Sequence, residues 1–280
     1  MCRGSEDIGK NSMRSRIRCS VWVVSDCATR FEHLFMSYIL LAYAVSACLF
    51  NEDARMSFPE KHPYNAEPMP AAVRSVIVGT APPPRFSNPQ CEGFGAHKLD
   101  FNFFYGSGHN NMWLWLNKIA ADQGRALPND EASAHEYGEA AREFLRRNRL
   151  WMRDVLQTYR RKTGRECSSA DDDIIKPLPG ECVNFAEVLV EHPSIEALAF
   201  TSHRAFEWAL VAMGQSARLR AYRERVRNDR TIDRAQPFDQ IKIGGREINL
   251  FLLPSPSGRA VSNSEAIDIY RNVLFGSADS

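Results

Sequence analysis

The chain has 280 residues, enough to bury a substantial core as one large domain or two small ones. Its 35 basic and 34 acidic residues leave a net charge of +1, so the whole molecule carries no signature of nucleic-acid or membrane affinity, and any anionic partner must be met by a local patch. Seven cysteines at irregular spacing, with no CxxC pair, argue against a zinc or iron–sulfur site and for free thiols in a reducing cytoplasm.

Residues 1–55 differ from the rest. A basic start (Arg14, Arg16, Arg18) leads to Leu34–Phe50, "LFMSYILLAYAVSACLF", which carries no charge but is borderline in length for a membrane span. Two readings stay open: a weak N-terminal anchor or accessory helix, or an upstream start artefact with translation beginning at Met56. The second is preferred because "MSFPEKHPY" resembles a natural beginning and cysteine density drops there.

From Met56 onward strands alternate with helices, which predicts an α/β fold in one domain over residues 56–280. Val73–Val78 reads as the first strand, with Val76, Ile77 and Val78 fully buried in a parallel sheet. It runs into "GTAPPPRF": Gly79 permits a turn, and Pro82, Pro83 and Pro84 hold the chain extended without backbone N–H groups. Asn110 to about Ala121 is amphipathic, with Trp113, Leu116 and Ile119 at helical spacing. Asp130–Arg149 is a charged helix with Glu131 and Glu136 in its first turns. "LWMRDVL" (150–156) is a second strand, Ser168–Asp173 a polar turn, Asn184–His192 a helix, Ile195–Phe200 a third strand and Arg204–Met213 the helix leaving it. "IKIGGREINLFLL" (241–253) forms a hairpin across Gly244–Gly245, and Ser264–Leu274 closes the chain as a helix.

Loops after parallel strands converge on one crevice, which singles out Gly79–Arg85, Thr201–His203 and Pro254–Arg259, together with the aromatic stretch "DFNFFYGSGHNNMW" (100–113). "LPSPSGRA" (253–260) offers Ser255 and Ser257 hydroxyls and main-chain N–H groups suited to phosphate oxygens. Two arginine-rich runs, 146–149 with 160–162 and 218–230, are further candidates for phosphate contact, or simply solvated faces.

Taken together, these stretches resemble the uracil-DNA glycosylase superfamily. "VIVGTAPPP" is similar to its strand ending in Gly-x-x-Pro, and "FYGSGHNNMW" to the Asn-x-x-Trp stretch of the mismatch-specific and hypoxanthine branches. "AFTSHRAF" matches the third-strand motif, and "LPSPSGRA" the loop that inserts into DNA; the order agrees over roughly residues 62–275. The resemblance implies a three-layer α/β/α sandwich around a four-stranded, mainly parallel sheet. It also implies DNA, single- or double-stranded, bound across the strand C-termini, with a base flipped out for excision. Neither a cofactor nor a metal is implied, nor stable membrane association, and a monomer is expected.

Carried over residue by residue, Asn110 is the first catalytic candidate, with Asp100 and His109 secondary. Tyr105 is the aromatic that stacks on the base. Gly79, Thr80, Ala81, Pro82, Gly106, Ser107, Thr201 and Ser202 line the pocket, and Ser255, Pro256, Ser257, Gly258 and Arg259 meet the DNA. The chain departs from the uracil-specific pattern at three positions. Ala81 stands where a water-holding Asp, Asn or Glu is usual, Leu253 where a histidine is usual, and Thr201 at the position taken for the base-reading asparagine. Ala81 and Thr201 are small, which implies room for hypoxanthine or a bulkier modified pyrimidine, such as those of phage DNA met in defence. The alternative is a non-catalytic module that senses modified bases.

Overall fold

The computed structural model describes residues 58–124, 126–128, 132–228, 233–257 and 263–276. The uncharged stretch Leu34–Phe50, the preferred start at Met56, and Gly258 and Arg259 of the DNA-loop assignment lie outside the described residues. Met56–Ser280 is one compact unit.

A five-stranded sheet carries the core. In chain order its strands are β2 (Ser75–Gly79), β3 (Leu150–Asp154), β5 (Ala197–Phe200), β6 (Asp239–Ile243) and β7 (Arg246–Leu252), arranged β3-β2-β5-β7-β6. β3, β2, β5 and β7 are mutually parallel, and β6 pairs antiparallel with β7 across the Gly244–Gly245 turn. The sheet thus has one strand more than the four expected, because the first arm of the predicted hairpin joins as an antiparallel edge. The central strands are apolar on both faces: Val76, Ile77, Val78, Leu198, Ala199 and Phe200 are each 0% exposed, as a sheet covered on both sides requires. A small second sheet pairs β1 (Glu60–Lys61) with β4 (Thr158–Tyr159); nothing in the sequence reading anticipates it, since two residues carry no periodicity.

The helices are α1 (Met112–Asp122), α2 (Ala134–Arg147), α3 (Phe185–Glu191), α4 (His203–Ala212), α5 (Ser216–Asn228) and α6 (Asn263–Phe275). β2 connects through α1 and α2 to β3 on one side of it, and β3 returns through α3 to β5 on the other side. Right-handed crossovers then place α1 and α2 on one face, and α3, α4 and α5 on the opposite face. α6 packs against α1. α2 starts at Ala134, four residues later than expected, because Ser133 accepts from the Glu136 N–H while the Glu136 carboxylate accepts from the Ser133 N–H; this reciprocal capping box sets the first turn.

The free-thiol reading needs correction at two positions. Cys91 and Cys167 form a disulfide across 76 residues, while Cys182 is free and buried. Irregular spacing could not reveal this, because the pairing is made by the fold bringing the proline loop against the 161–170 loop. The cytoplasmic expectation therefore loses its cysteine argument. Among the described residues, no helix is long and apolar enough to cross a membrane.

Candidate functional site

The strand C-termini gather the chemistry. The connection after β2 leaves toward one face of the sheet and those after β3 and β5 toward the other, so a crevice opens between their ends. At its floor lies Gly79. A Cβ there would come within 2.3 Å of both Asp154 Oδ1 and the Tyr105 hydroxyl, so only glycine lets these two side chains close over the end of β2.

Tyr105 comes from the loop ahead of α1, with a left-handed φ of +54°. Its neighbour Gly106 has no room for a side chain, since a Cβ would lie 2.0 Å from the Phe101 carbonyl oxygen. That tight turn aims the Tyr105 ring inward, and its hydroxyl lies 2.8 Å from Thr201 Oγ1. Thr201 in turn donates to the Val78 carbonyl at 3.3 Å, so the tyrosine proton goes to Thr201. The space expected beside a small Thr201 is thus filled by the Tyr105 hydroxyl, and burial raises the pKa of that phenol against the opposing Thr201 hydrogen bond.

Asp154 ends β3 and was not among the candidates from sequence. His62 Nε2 lies 2.9 Å from Asp154 Oδ2. His62 Nδ1 accepts from the N–H groups of Tyr64 and Asn65 at 3.1 and 3.0 Å, so Nε2 carries the proton and donates to the carboxylate. Asn65 locks the same corner, donating to the Asp154 and Leu156 carbonyls and accepting from the Asp154 N–H. The available signal was a charge closing the otherwise apolar run "LWM" beside an equally apolar strand; it was masked by Arg153, which makes the run end look like ordinary solvent exposure.

A second carboxylate, Asp171, approaches from the polar turn. Its Oδ2 accepts from Thr80 Oγ1 at 2.8 Å, and Ser202 Oγ lies 2.9 Å from the same threonine hydroxyl. Burial and then the Asp154 charge push the Asp171 pKa up, outweighing the Thr80 hydrogen bond. Ser202 also caps α4, accepting from the Ala205 N–H at 2.9 Å.

The other candidates are held as follows. Asp100 accepts from Arg85 through both oxygens (2.7 and 3.0 Å), and from the N–H groups of His97 and Gly108. Burial alone would raise its pKa, but the Arg85 hydrogen bonds and the two backbone donors hold it below the usual value. Arg85 also donates to Ser107 Oγ at 2.7 Å, tying the proline loop to the tyrosine loop. Asn110 Oδ1 accepts from the Met112 N–H at 2.9 Å, an Asx turn that leads into α1, whose N-cap is Asn111. His109 is exposed, its ring 4.9 Å from that of His97. Ala81 makes no polar side-chain contact, and the buried Pro82 offers its carbonyl to Arg161 at 3.2 Å. Arg161 is itself 1% exposed and paired with Glu60, so within the second half of the first arginine run it is a core residue rather than a phosphate contact.

In the other run, Arg218 pairs with Asp239 and Arg223 with Glu207, while Arg225 donates to the Phe238 carbonyl. Structural pairing therefore claims much of the charge that sequence alone assigned to DNA or solvent.

The loop after β7 joins the group. The Leu253 N–H donates to the Phe200 carbonyl, Tyr270 donates to the Pro254 carbonyl, and the Asn111 N–H donates to the Pro256 carbonyl at 2.9 Å. This last bond brings the Pro254–Ser257 loop against the start of α1. Ser255 Oγ and Ser257 Oγ lie 2.9 Å apart at the rim. Beside this seam a cavity of about 290 Å³ is lined by Asp100, Tyr105, Ser107, Asn110, Trp113 and Tyr137, among others; Tyr105 is common to it and to the strand-end cluster. Among the described residues no group of three or more His, Cys, Asp or Glu side chains gathers as a metal site would require.

No protein-family model and no curated protein matches the chain. Among solved structures, it is similar to the solution NMR structure of a candidate uracil DNA glycosylase from Methanosarcina acetivorans, at 16% identity and a TM-score of 0.41, over 73% of this chain and 93% of that one.

Proposed function

We propose that the chain is a monofunctional DNA glycosylase acting through its 56–280 domain, flipping out a damaged or modified base and leaving an abasic site. The observation that carries this reading is the meeting of Gly79, Tyr105 and Thr201 at the strand ends, with the Pro254–Ser257 loop pinned to the same α1 entrance. These are the stretches whose order along the chain resembles the superfamily, and the tyrosine loop, which follows no strand directly, joins the strand-end loops in the same crevice.

In this mechanism the extruded base stacks on the Tyr105 ring, offsetting the few kcal/mol of unpairing. The C1′–N bond breaks with its electron pair going to the base, through an oxocarbenium-like sugar. Water adds its oxygen to C1′ and a proton from it ends on the departing base. Asn110, whose Oδ1 is engaged by the Met112 N–H, orients that water through its amide nitrogen. Ser255 and Ser257 hold phosphate oxygens. No motif position supplies a lysine for Schiff-base strand cleavage.

The test is a panel of duplexes containing uracil, hypoxanthine, or hydroxymethylated or glucosylated cytosine, incubated with the protein and then treated with alkali. Strand breaks at one of these bases are expected. The second reading, a sensor module without cleavage, is favoured by the engaged Asn110 Oδ1 and the four-way clamp on Asp100; tight binding with no break at any base would establish it.

A further inference from the structure

Among the described residues, Asp154 Oδ1 is the buried carboxylate oxygen left without a hydrogen-bond partner, on a residue only 5% exposed. Leaving such an oxygen unsatisfied is costly, and a native fold tolerates it only for a reason. The surroundings produce the vacancy by construction. His62 holds Oδ2, the Tyr105 proton is directed to Thr201, and Gly79 places no atom of its own over the spot. The carboxylate is thereby fixed in orientation, with one acceptor left over Gly79 beside the Tyr105 hydroxyl.

We propose that Asp154 is a specificity-determining residue whose free Oδ1 accepts from the exocyclic amino group of the bound base, at the edge position where keto bases carry an oxygen, so that the site takes amino-bearing bases in preference to their keto counterparts. This rests on the glycosylase reading above, because it places the base at the strand ends. A carboxylate accepts and does not donate, whereas an amide in its place would do both. A keto oxygen set against Oδ1 would bury two acceptors with no proton between them; an exocyclic amino group supplies that proton. The base reaches Oδ1 by displacing the Tyr105 hydroxyl, whose hydrogen bond in the crevice is to Thr201. Of the candidate substrates, this selects a modified cytosine that keeps its amino group over uracil or hypoxanthine.

The experiment uses the full chain and matched duplexes carrying 5-hydroxymethylcytosine or 5-hydroxymethyluracil, which differ in amino for keto and in the adjacent ring nitrogen, an acceptor in the first and an N–H donor in the second, and adenine or hypoxanthine likewise. Equilibrium binding and single-turnover excision are measured for the natural protein and for Asp154→Asn, with melting temperature alongside. The natural protein should favour the amino member of each pair by about 10-fold or more, the scale of one well-placed base-edge contact. Asp154→Asn should erase or reverse that ratio. Equal or keto preference in the natural protein overturns the inference, whatever the variant does, and so does an Asp154→Asn protein that keeps the amino preference. Excision without amino preference sinks this inference alone. Amino-selective binding without excision supports it and sinks the cleavage reading instead.

Discussion

At the scale of single residues, one side chain often has two uses, and substitutions chosen for size separate them. Asn110 Oδ1 holds the Met112 N–H at the start of α1, so Asn110→Asp keeps that bond while removing the amide N–H₂ group, and Asn110→Ala removes both. We expect Asn110→Ala to lose about 1 kcal/mol of stability. Asn110→Asp should melt like the natural protein, yet excise about 100-fold more slowly, in the range of a lost polar transition-state contact. Wild-type excision by Asn110→Asp would remove the residue from the mechanism. Gly79→Ala puts a methyl group 2.3 Å from two side chains and should cost about 1–3 kcal/mol through overpacking, read by denaturant unfolding. The two perturbed aspartates act in opposite directions with pH. Asp171, raised above its ordinary value of 3.8, favours the folded state below that value and loses this contribution as pH rises through its folded pKa. Asp171→Asn should therefore melt higher than the natural protein at pH 7, with the gap closing toward pH 4. Asp100, lowered from the same 3.8, contributes above that value and loses its contribution as pH falls. Asp100→Asn should melt lower at pH 7, with that gap closing on acidification.

At the scale of elements, the crevice is held by segments outside the main sheet. The stretch from Glu60 to Asn65 reaches across β3 and β4: Glu60 accepts from Arg161, His62 donates to Asp154, and Asn65 brackets the Asp154 backbone. Burial raises the Glu60 pKa, against the opposing Ser87 and Arg161 contacts, so this pair is stable only as a pair. Arg161→Met should destabilise by about 3–5 kcal/mol, because the buried Glu60 would lose its counter-charge and keep only the Ser87 hydroxyl, and the double change with Glu60→Leu should recover most of the loss. Chemical denaturation of the three proteins measures this. The Cys91–Cys167 bridge fastens the same wall. Reducing it, or replacing both cysteines with serine, should lower stability by about 2–4 kcal/mol and slow any excision, since the 161–173 loop brings Asp171 to Thr80.

At the scale of the whole molecule, the compact unit Met56–Ser280 should work alone. A protein starting at Met56 should match the full chain in melting temperature and activity, whereas one starting at Met69, without His62 and Asn65, should lose both. The fold was legible in the sequence because its signals are local. The apolar runs "VIVG", "ALAF" and "INLFLL", the Gly244–Gly245 turn and the helical spacing of Trp113, Leu116 and Ile119 depend on neighbours along the chain, and each became the expected element within a few residues. Helix ends drifted where the deciding cap was misread, as at Ser133. Part of the candidate site was legible too: Gly79 and Thr201 were marked by their places at strand ends, and Tyr105 by the resemblance in an aromatic stretch ahead of a helix. Asp154 was not, nor were the Arg161–Glu60 pair and the disulfide. Each of these joins residues between 76 and 101 positions apart, and no local pattern encodes such a partner. What the sequence determined by itself was which segments form strands, helices and turns, since backbone preference and amphipathic period are properties of adjacent residues. What only the tertiary structure decided was which charges are buried together and which carboxylate oxygen is left without a partner, because desolvation and pairing exist only once the sheet has brought distant ends into contact.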